Sequence, residues 1–265
     1  MKILASLIFL FANSAFSTCE FKSSFKSVYS LSGPVTQMIE RSGLLSSSAL
    51  KGVSIFYPTP QSFSGEKIPG GVFLSPSKLN EMKNSVVFFD ESQELRKLFL
   101  SQKITAIEFK SRSLVPSEVV ETSLKTLGRY VDGCSEKFKA ISLHTKQLEK
   151  TIRALMRTKL DVVFFLGSVG GGRLPELVIA NDGIVLWLKR VGLIQTYPTE
   201  LAYLSWSSSI INQLSGKYIF LGLKEDYRPS VRGSSSRATL IYPGALIPGI
   251  SQLEAWVYFL QHKPR

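Results

Sequence analysis

Histidine and cysteine are scarce, with two of each among 265 residues. Neither His144 nor His262 has a partner at metal-ligand spacing, which excludes a histidine-rich zinc or manganese site. No Gly-x-Ser-x-Gly segment occurs, and so few histidines leave no usable Ser-His-Asp set. The adjacent carboxylates Asp90 and Glu91 fit helix capping better than catalysis, because neighbouring side chains point apart on a helix. We therefore predict no enzymatic activity, no metal site and no intrinsic cofactor.

The chain also lacks basic runs and any alternation of basic with aromatic residues. Its formal net charge is nevertheless +12, and 44% of its residues are hydrophobic. The scattered Lys and Arg indicate a solvated surface and no nucleic-acid partner, although a cationic surface attracts other anions and membranes. The length fits one large domain or two smaller lobes with substantial cores.

The amino terminus has the pattern of a secretory signal peptide. Lys2 precedes an apolar run, and Ala15-Phe16-Ser17 fits the small-x-small rule for cleavage. No later run reaches about 18 apolar residues. We therefore predict that residues 1–17 are removed and that the mature protein is soluble and periplasmic.

Cys19 follows the predicted cleavage site, and Cys134 lies near the middle of the chain. Two cysteines in an exported protein suggest one disulfide. Two free thiols are one alternative. Acylation of Cys19 in a lipoprotein is another, although Phe16-Ser17-Thr18 is a poor match to the usual sequence before a lipidated cysteine.

A long helix is predicted at 136–159. No Gly or Pro interrupts it, and about 24 residues give a length of roughly 36 Å. Its apolar residues, with Thr145 in line, fall three or four positions apart on one face: Phe138, Ile141, Leu148, Ile152, Leu155 and Met156. We interpret it as a connection between two similar lobes; the alternative is an ordinary amphipathic surface helix within one domain.

Strands alternate with helices on both sides of this helix, which predicts parallel sheets covered on both faces. The fold class is therefore α/β, with two lobes of parallel sheets flanked by helices and joined by one long backbone helix. The predicted divisions are a signal peptide at 1–17, an N-terminal lobe at 18–135, the backbone helix at 136–159 and a C-terminal lobe at 160–265. Beyond the backbone helix, Ser205 is predicted to begin a helix. We expect a monomer.

Several segments resemble the periplasmic binding proteins for iron-siderophores, haem and cobalamin, the class with a single helical backbone. They are 28–43 (VYSLSGPVTQMIERSG), 68–71 (IPGG), 162–167 (VVFFLG) and 245–252 (ALIPGISQ). The resemblance covers nearly all of the mature chain and specifies the fold better than the ligand. It implies capture of a ferric siderophore, haem or corrinoid between the lobes, for delivery to an ABC permease in the inner membrane. The alternative is a periplasmic interaction or structural protein that kept the fold and lost transport.

Loops at the carboxyl ends of the predicted strands supply the candidate ligand residues. Aromatic side chains there can stack on a planar ligand: Tyr57, Phe73, Phe89, Trp206 and Tyr242. Arginines can pair with ligand carboxylates: Arg173, Arg228 and Arg232. Three glycines allow a close backbone approach: Gly170, Gly171 and Gly172. A tyrosinate from Tyr57 or Tyr242 is the best haem ligand that the chain offers. The alternative is that the aromatics are core residues and the glycines form a flexible turn.

Permease docking in the resembling family uses a Glu at the start of one helix in each lobe. The matching positions here are Ser77 and Ser209, and Glu81 and Glu200 lie near them but out of register. The missing carboxylates and the positive net charge favour the non-transport alternative.

Overall fold

The structure is a computed structural model that describes most of residues 18–155 and shorter parts of the rest. The described ranges are 18–55, 57–58, 60, 63–69, 74–111, 114–155, 160–161, 164–166, 177–179, 183–192, 194–195, 203–205, 218–222, 237–241 and 247–262. The predicted signal peptide lies outside them. Within these ranges, no helix combines the length and the apolar character needed to cross a membrane.

The first half of the chain forms a parallel α/β layer structure. Its strands are β1 (Glu20–Phe21), β2 (Val28–Leu31), β3 (Leu50–Ser54), β4 (Glu66–Ile68), β5 (Val86–Asp90), β6 (Thr105–Phe109) and β7 (Val131–Asp132). Its helices are α1 (Gly33–Arg41), α2 (Pro76–Met82), α3 (Gln93–Ser101) and α4 (Pro116–Leu127). Five strands pair in the order β4-β3-β2-β5-β6, and every pair is parallel.

The side chains of strand β5 show that this sheet is covered on both faces. Its residues alternate between two hydrophobic clusters, so Phe88 packs with α1 and α4 whereas Phe89 packs with α2 and α3. Both rings are nearly inaccessible to solvent. A parallel strand buried on both faces needs a continuous apolar run, as this one has.

The second half contains another five-stranded sheet. The strands and helices of this half of the chain are β8 (Leu160–Asp161), β9 (Phe164–Leu166), β10 (Leu177–Ile179), α6 (Gly183–Arg190), β11 (Ile194–Gln195), β12 (Tyr203–Ser205), β13 (Tyr218–Gly222), β14 (Arg237–Ile241) and α7 (Ile250–His262). The strand order is β12-β10-β9-β13-β14. Strands β9, β13 and β14 are parallel, whereas β10 pairs antiparallel with both β9 and β12. The predicted α/β class is confirmed, but the helix predicted to begin at Ser205 is wrong there, since Ser205 pairs with Leu177 in β12.

Between the two sheets in the sequence lies α5, which spans Ser135–Leu155. Ile141, Thr145, Leu148 and Ile152 form its buried face, as the spacing predicts, but Phe138 is half-buried and Leu155 is exposed. The Thr145 hydroxyl donates to the Ile141 carbonyl oxygen, 2.9 Å away, so this buried polar group is satisfied. Residues 156–159 lie outside the described ranges, and the predicted lobe boundaries stay predictions.

The final helix, α7, packs on elements of the first half. It contacts α5 and α4. Its entry turn places Gly249 at a φ of +111°, a conformation that favours glycine. Gln37 of α1 is buried and bonds this turn three times: its Nε2 donates to the Ile247 and Pro248 carbonyl oxygens, and its Oε1 accepts from the Ser251 N–H. The last segment of the chain is therefore part of the first core.

A disulfide joins Cys19 to Cys134, with the two Cα atoms 4.5 Å apart. Both sulfurs are in this bond, so neither cysteine is a free thiol. The disulfide hypothesis is thus confirmed and the free-thiol alternative is wrong, whereas acylation of Cys19 stays an untested alternative. The bond fixes the arm that contains β1 next to β7.

Candidate functional site

The candidate site is the edge of the first sheet where its parallel strands end, which we call the ligand edge. In open parallel sheets, ligands bind outside the carboxyl ends of the strands. The described strand ends at this edge are Leu31, Ser54, Ile68, Asp90 and Phe109.

Asp90 holds the beginning of α1 at this edge. Its Oδ1 accepts from the Ser32 hydroxyl at 2.5 Å and its Oδ2 from the Gly33 N–H at 3.1 Å. A carboxylate is favourable at a helix N-terminus, where backbone N–H groups lack partners within the helix. The sequence pattern did not reveal this role. Helix α3 instead begins with Ser92, whose hydroxyl accepts from the Leu95 N–H.

The turn before α7 forms a neighbouring part of the edge. A Cβ atom on Gly33 would lie 3.0 Å from the Ile247 Cγ2, so any larger residue would press against this turn. Because Ile247 follows the second sheet in sequence, this contact brings chain from both halves to the carboxyl edge of the first sheet. The edge therefore has one wall built from the end of the chain.

Tyr57 does not face an open cleft. It is 4% exposed, and its hydroxyl donates to the Glu40 Oε2. The Lys67 Nζ donates to its carbonyl oxygen. Burial, and then the hydrogen bond to Glu40, raises the pKa of Tyr57 far above its ordinary value. The prediction of Tyr57 as a tyrosinate ligand is therefore corrected. Such a ligand needs an accessible and readily ionised phenol, whereas Tyr57 is buried and its pKa is raised.

Phe89 is also a core residue rather than a stacking surface. It is 2% exposed, and its ring packs edge-on against Phe99 of α3 with centroids 5.2 Å apart. Its place in β5 directs it to the face covered by α2 and α3, which corrects the prediction that it binds ligand.

The remaining predicted ligand residues lie outside the described residues, so they stay predictions. They are Phe73, Gly170, Gly171, Gly172, Arg173, Trp206, Arg228, Arg232 and Tyr242. Strands β9, β13 and β14 directly precede the segments that contain most of them.

Ser77, the predicted docking position of the first lobe, lies exposed in the first turn of α2. Its hydroxyl is 3.0 Å from that of Ser75, the residue that caps this helix. The carboxylates of Glu66 and Glu81 both accept from the Nζ of the adjacent Lys78. These bonds raise the pKa of Lys78, that to Glu66 most. The face around Ser77 is thus charge-paired. Ser209 lies outside the described residues.

Groups that bind metal directly are not assembled in the described ranges. No cluster of three or more His, Cys, Asp or Glu side chains occurs there. His144 is on the surface of α5, with its Nε2 3.4 Å from the Glu254 Oε1.

Comparison with solved structures identifies the fold. No protein-family model and no curated protein matches the sequence. A periplasmic haem-binding protein from Pseudomonas aeruginosa aligns with a TM-score of 0.69 and 16% identity, over 91% of this chain and 94% of that one. The periplasmic vitamin B12-binding protein of Vibrio cholerae aligns with a TM-score of 0.66 and 14% identity, over 91% and 99%. A periplasmic haem-binding protein from a Roseiflexus species gives 0.64 and 15%, over 89% and 97%.

These alignments extend over nearly the whole of each chain. The fold is therefore that of the two-lobed periplasmic binding proteins with a helical backbone, as the sequence resemblance predicted. The matched proteins are periplasmic haem-binding and vitamin B12-binding proteins. At identities this low, the likeness establishes the fold.

Proposed function

We propose that this protein captures a metal chelate, such as haem, a corrinoid or a ferric siderophore, between its lobes for an ABC importer. The observation that carries the proposal is the whole-chain alignment with haem-binding and vitamin B12-binding proteins. The absence of a catalytic set from the sequence agrees with a binding role. On this proposal the protein is periplasmic and has no catalytic activity.

The ligand contacts are proposed to come mainly from the second lobe. Tyr57 and Phe89 are buried, so the first lobe contributes its sheet edge around Asp90 instead, next to Ile247 from the end of the chain. The arginines at 173, 228 and 232 then supply charge for ligand carboxylates, and the glycines at 170–172 allow a flat ligand to approach the backbone.

An absorption spectrum of the purified protein, followed by calorimetric titration with haem, a ferric siderophore and cobalamin, tests the proposal. We expect saturable binding of one ligand class. Arg173→Ala with Arg228→Ala should weaken that binding, whereas Arg129→Ala, an exposed change at the end of α4, should leave it unchanged. Flat titrations with all three ligands would overturn the proposal.

A specific observation favours a second candidate, an interaction or structural protein without transport. Ser77 has no carboxylate, and the neighbouring Glu66 and Glu81 are both paired with Lys78. Co-purification with an inner-membrane permease would exclude this candidate. Ligand binding without any permease association would support it.

A further inference from the structure

A concave surface that we call the basic depression lies at the other edge of the first sheet. It is lined by the arm at 18–26, the segment 43–51 and the first turn of α5, and its volume is about 660 Å³. The arm and residues 46–49 directly precede the starts of β2 and β3. The basic depression is therefore at the amino ends of the strands, opposite the candidate ligand edge.

Its charge is strongly one-sided. Lys22, Lys26, Lys51 and Lys137 line it, and Glu20 is the single carboxylate among the described residues that do so. Glu20 already accepts a hydrogen bond from the Thr18 hydroxyl. The basic depression thus gathers four cationic side chains in a surface that offers them little internal compensation.

The lysines have donor capacity to spare. Within the part of the chain that the structure describes, Lys22, Lys26 and Lys51 form no ion pair. The Lys137 Nζ donates to the Ser42 carbonyl oxygen at 2.8 Å, which leaves two of its three N–H groups for another acceptor.

Ser23, Ser46 and Ser48 also line this surface. Ammonium and hydroxyl donors around one concave space suit an anion that carries several acceptor oxygens and more than one negative charge. A volume of about 660 Å³ falls in the range of small-ligand pockets. We propose that the basic depression binds a phosphate-bearing anion, either a lipid headgroup or a soluble phosphate ester.

The test separates these two sources at about 0.15 M ionic strength, where distant charges are screened. Purified protein is sedimented with vesicles of phosphatidylglycerol and phosphatidylcholine, and with phosphatidylcholine alone. In parallel it is titrated calorimetrically with glycerol phosphate and tripolyphosphate. Binding to the phosphatidylglycerol vesicles alone assigns a lipid headgroup, and saturable binding of the soluble phosphates assigns a free ester.

A matched pair of double variants links binding to the basic depression. Lys26→Gln with Lys51→Gln should weaken binding about fivefold for each lysine removed. Lys97→Gln with Lys150→Gln removes the same charge from exposed positions outside the basic depression, and we expect a change of less than about twofold. All four lysines are exposed, so circular dichroism should show both variants folded.

Two results would overturn the proposal. One is the absence of binding to both kinds of probe. The other is an equal loss in the two double variants, which would mean that net charge alone attracts the anion. The proposal is independent of the ligand edge, so haem or cobalamin binding should be unchanged by Lys26→Gln with Lys51→Gln.

Discussion

The disulfide between Cys19 and Cys134 should make a large contribution to stability. Replacing both residues with serine opens a covalent loop that separates them by 115 positions. A crosslink of this length restricts the unfolded chain, and its loop-closure entropy corresponds to about 5 kcal/mol at 25 °C. This entropy belongs to the unfolded chain, so removing the bond lowers stability even if the folded arm does not rearrange.

Noncovalent contacts keep the arm in place after that change. Strand β1 pairs with β7, the Phe21 side chain is buried, and the Lys22 N–H donates to the Tyr130 carbonyl oxygen at 2.9 Å. Measured effects of disulfides often fall below the entropic value. We therefore expect the free energy of unfolding to fall by about 2–5 kcal/mol, which for a chain of this size lowers Tm by about 2 °C per kcal/mol, or roughly 4–10 °C.

Urea unfolding followed by circular dichroism measures this loss. The assay compares the oxidised protein, the same protein with reductant, and the Cys19→Ser, Cys134→Ser double variant. Reductant should shift the unmodified protein to the midpoint of the variant and leave the variant unmoved. Equal midpoints for the oxidised protein and the variant, or two thiols titrated in the oxidised unfolded protein, would refute the reasoning.

Three further changes test the contacts around the ligand edge by urea unfolding. Gln37→Leu should cost about 1–3 kcal/mol, since buried backbone groups before α7 lose their partner, whereas the exposed Gln147→Leu should stay within about 0.5 kcal/mol. Asp90→Ala should cost about 1.5–3 kcal/mol through its lost charge-assisted bonds to α1, and the exposed Glu121→Ala much less. Folding raises the pKa of Tyr57 above its unfolded value near 10, so the stability from the neutral phenol is fully present below about pH 10 and is lost as the pH rises. Tyr57→Phe should therefore reduce the fall in stability above pH 10, and an unchanged pH profile would contradict this.

The sequence predicted the first half of the fold well because its signals are local. The apolar run of β5 and the spacing of Ile141, Thr145, Leu148 and Ile152 report burial directly. The helix predicted to begin at Ser205 was wrong because β12 is a three-residue strand that depends on antiparallel pairing with β10. Such pairing is a tertiary contact, and it overrides local preference.

The ligand edge was less predictable because its contacts join distant residues. Asp90 reaches Ser32, 58 positions earlier, and Gln37 reaches the turn before α7, more than 200 positions later. Tyr57 was placed at the edge by its position after a strand, but Glu40 determines its surroundings. Position along a strand therefore predicted the edge, while the burial of each side chain depended on partners that the local pattern does not reveal.

On the proposed function, the path of α7 limits how the two lobes can open. This helix follows the second sheet in sequence, yet it packs on α5 and α4 and is bonded to α1 through Gln37 and the Arg41–Glu254 ion pair. A wide rotation of the second sheet away from the first would break these bonds or separate α7 from α5 and α4. Small rotations avoid that cost. We therefore expect most of the binding site to be formed before the ligand arrives, so that the shape of the open protein, rather than large closure, selects the ligand.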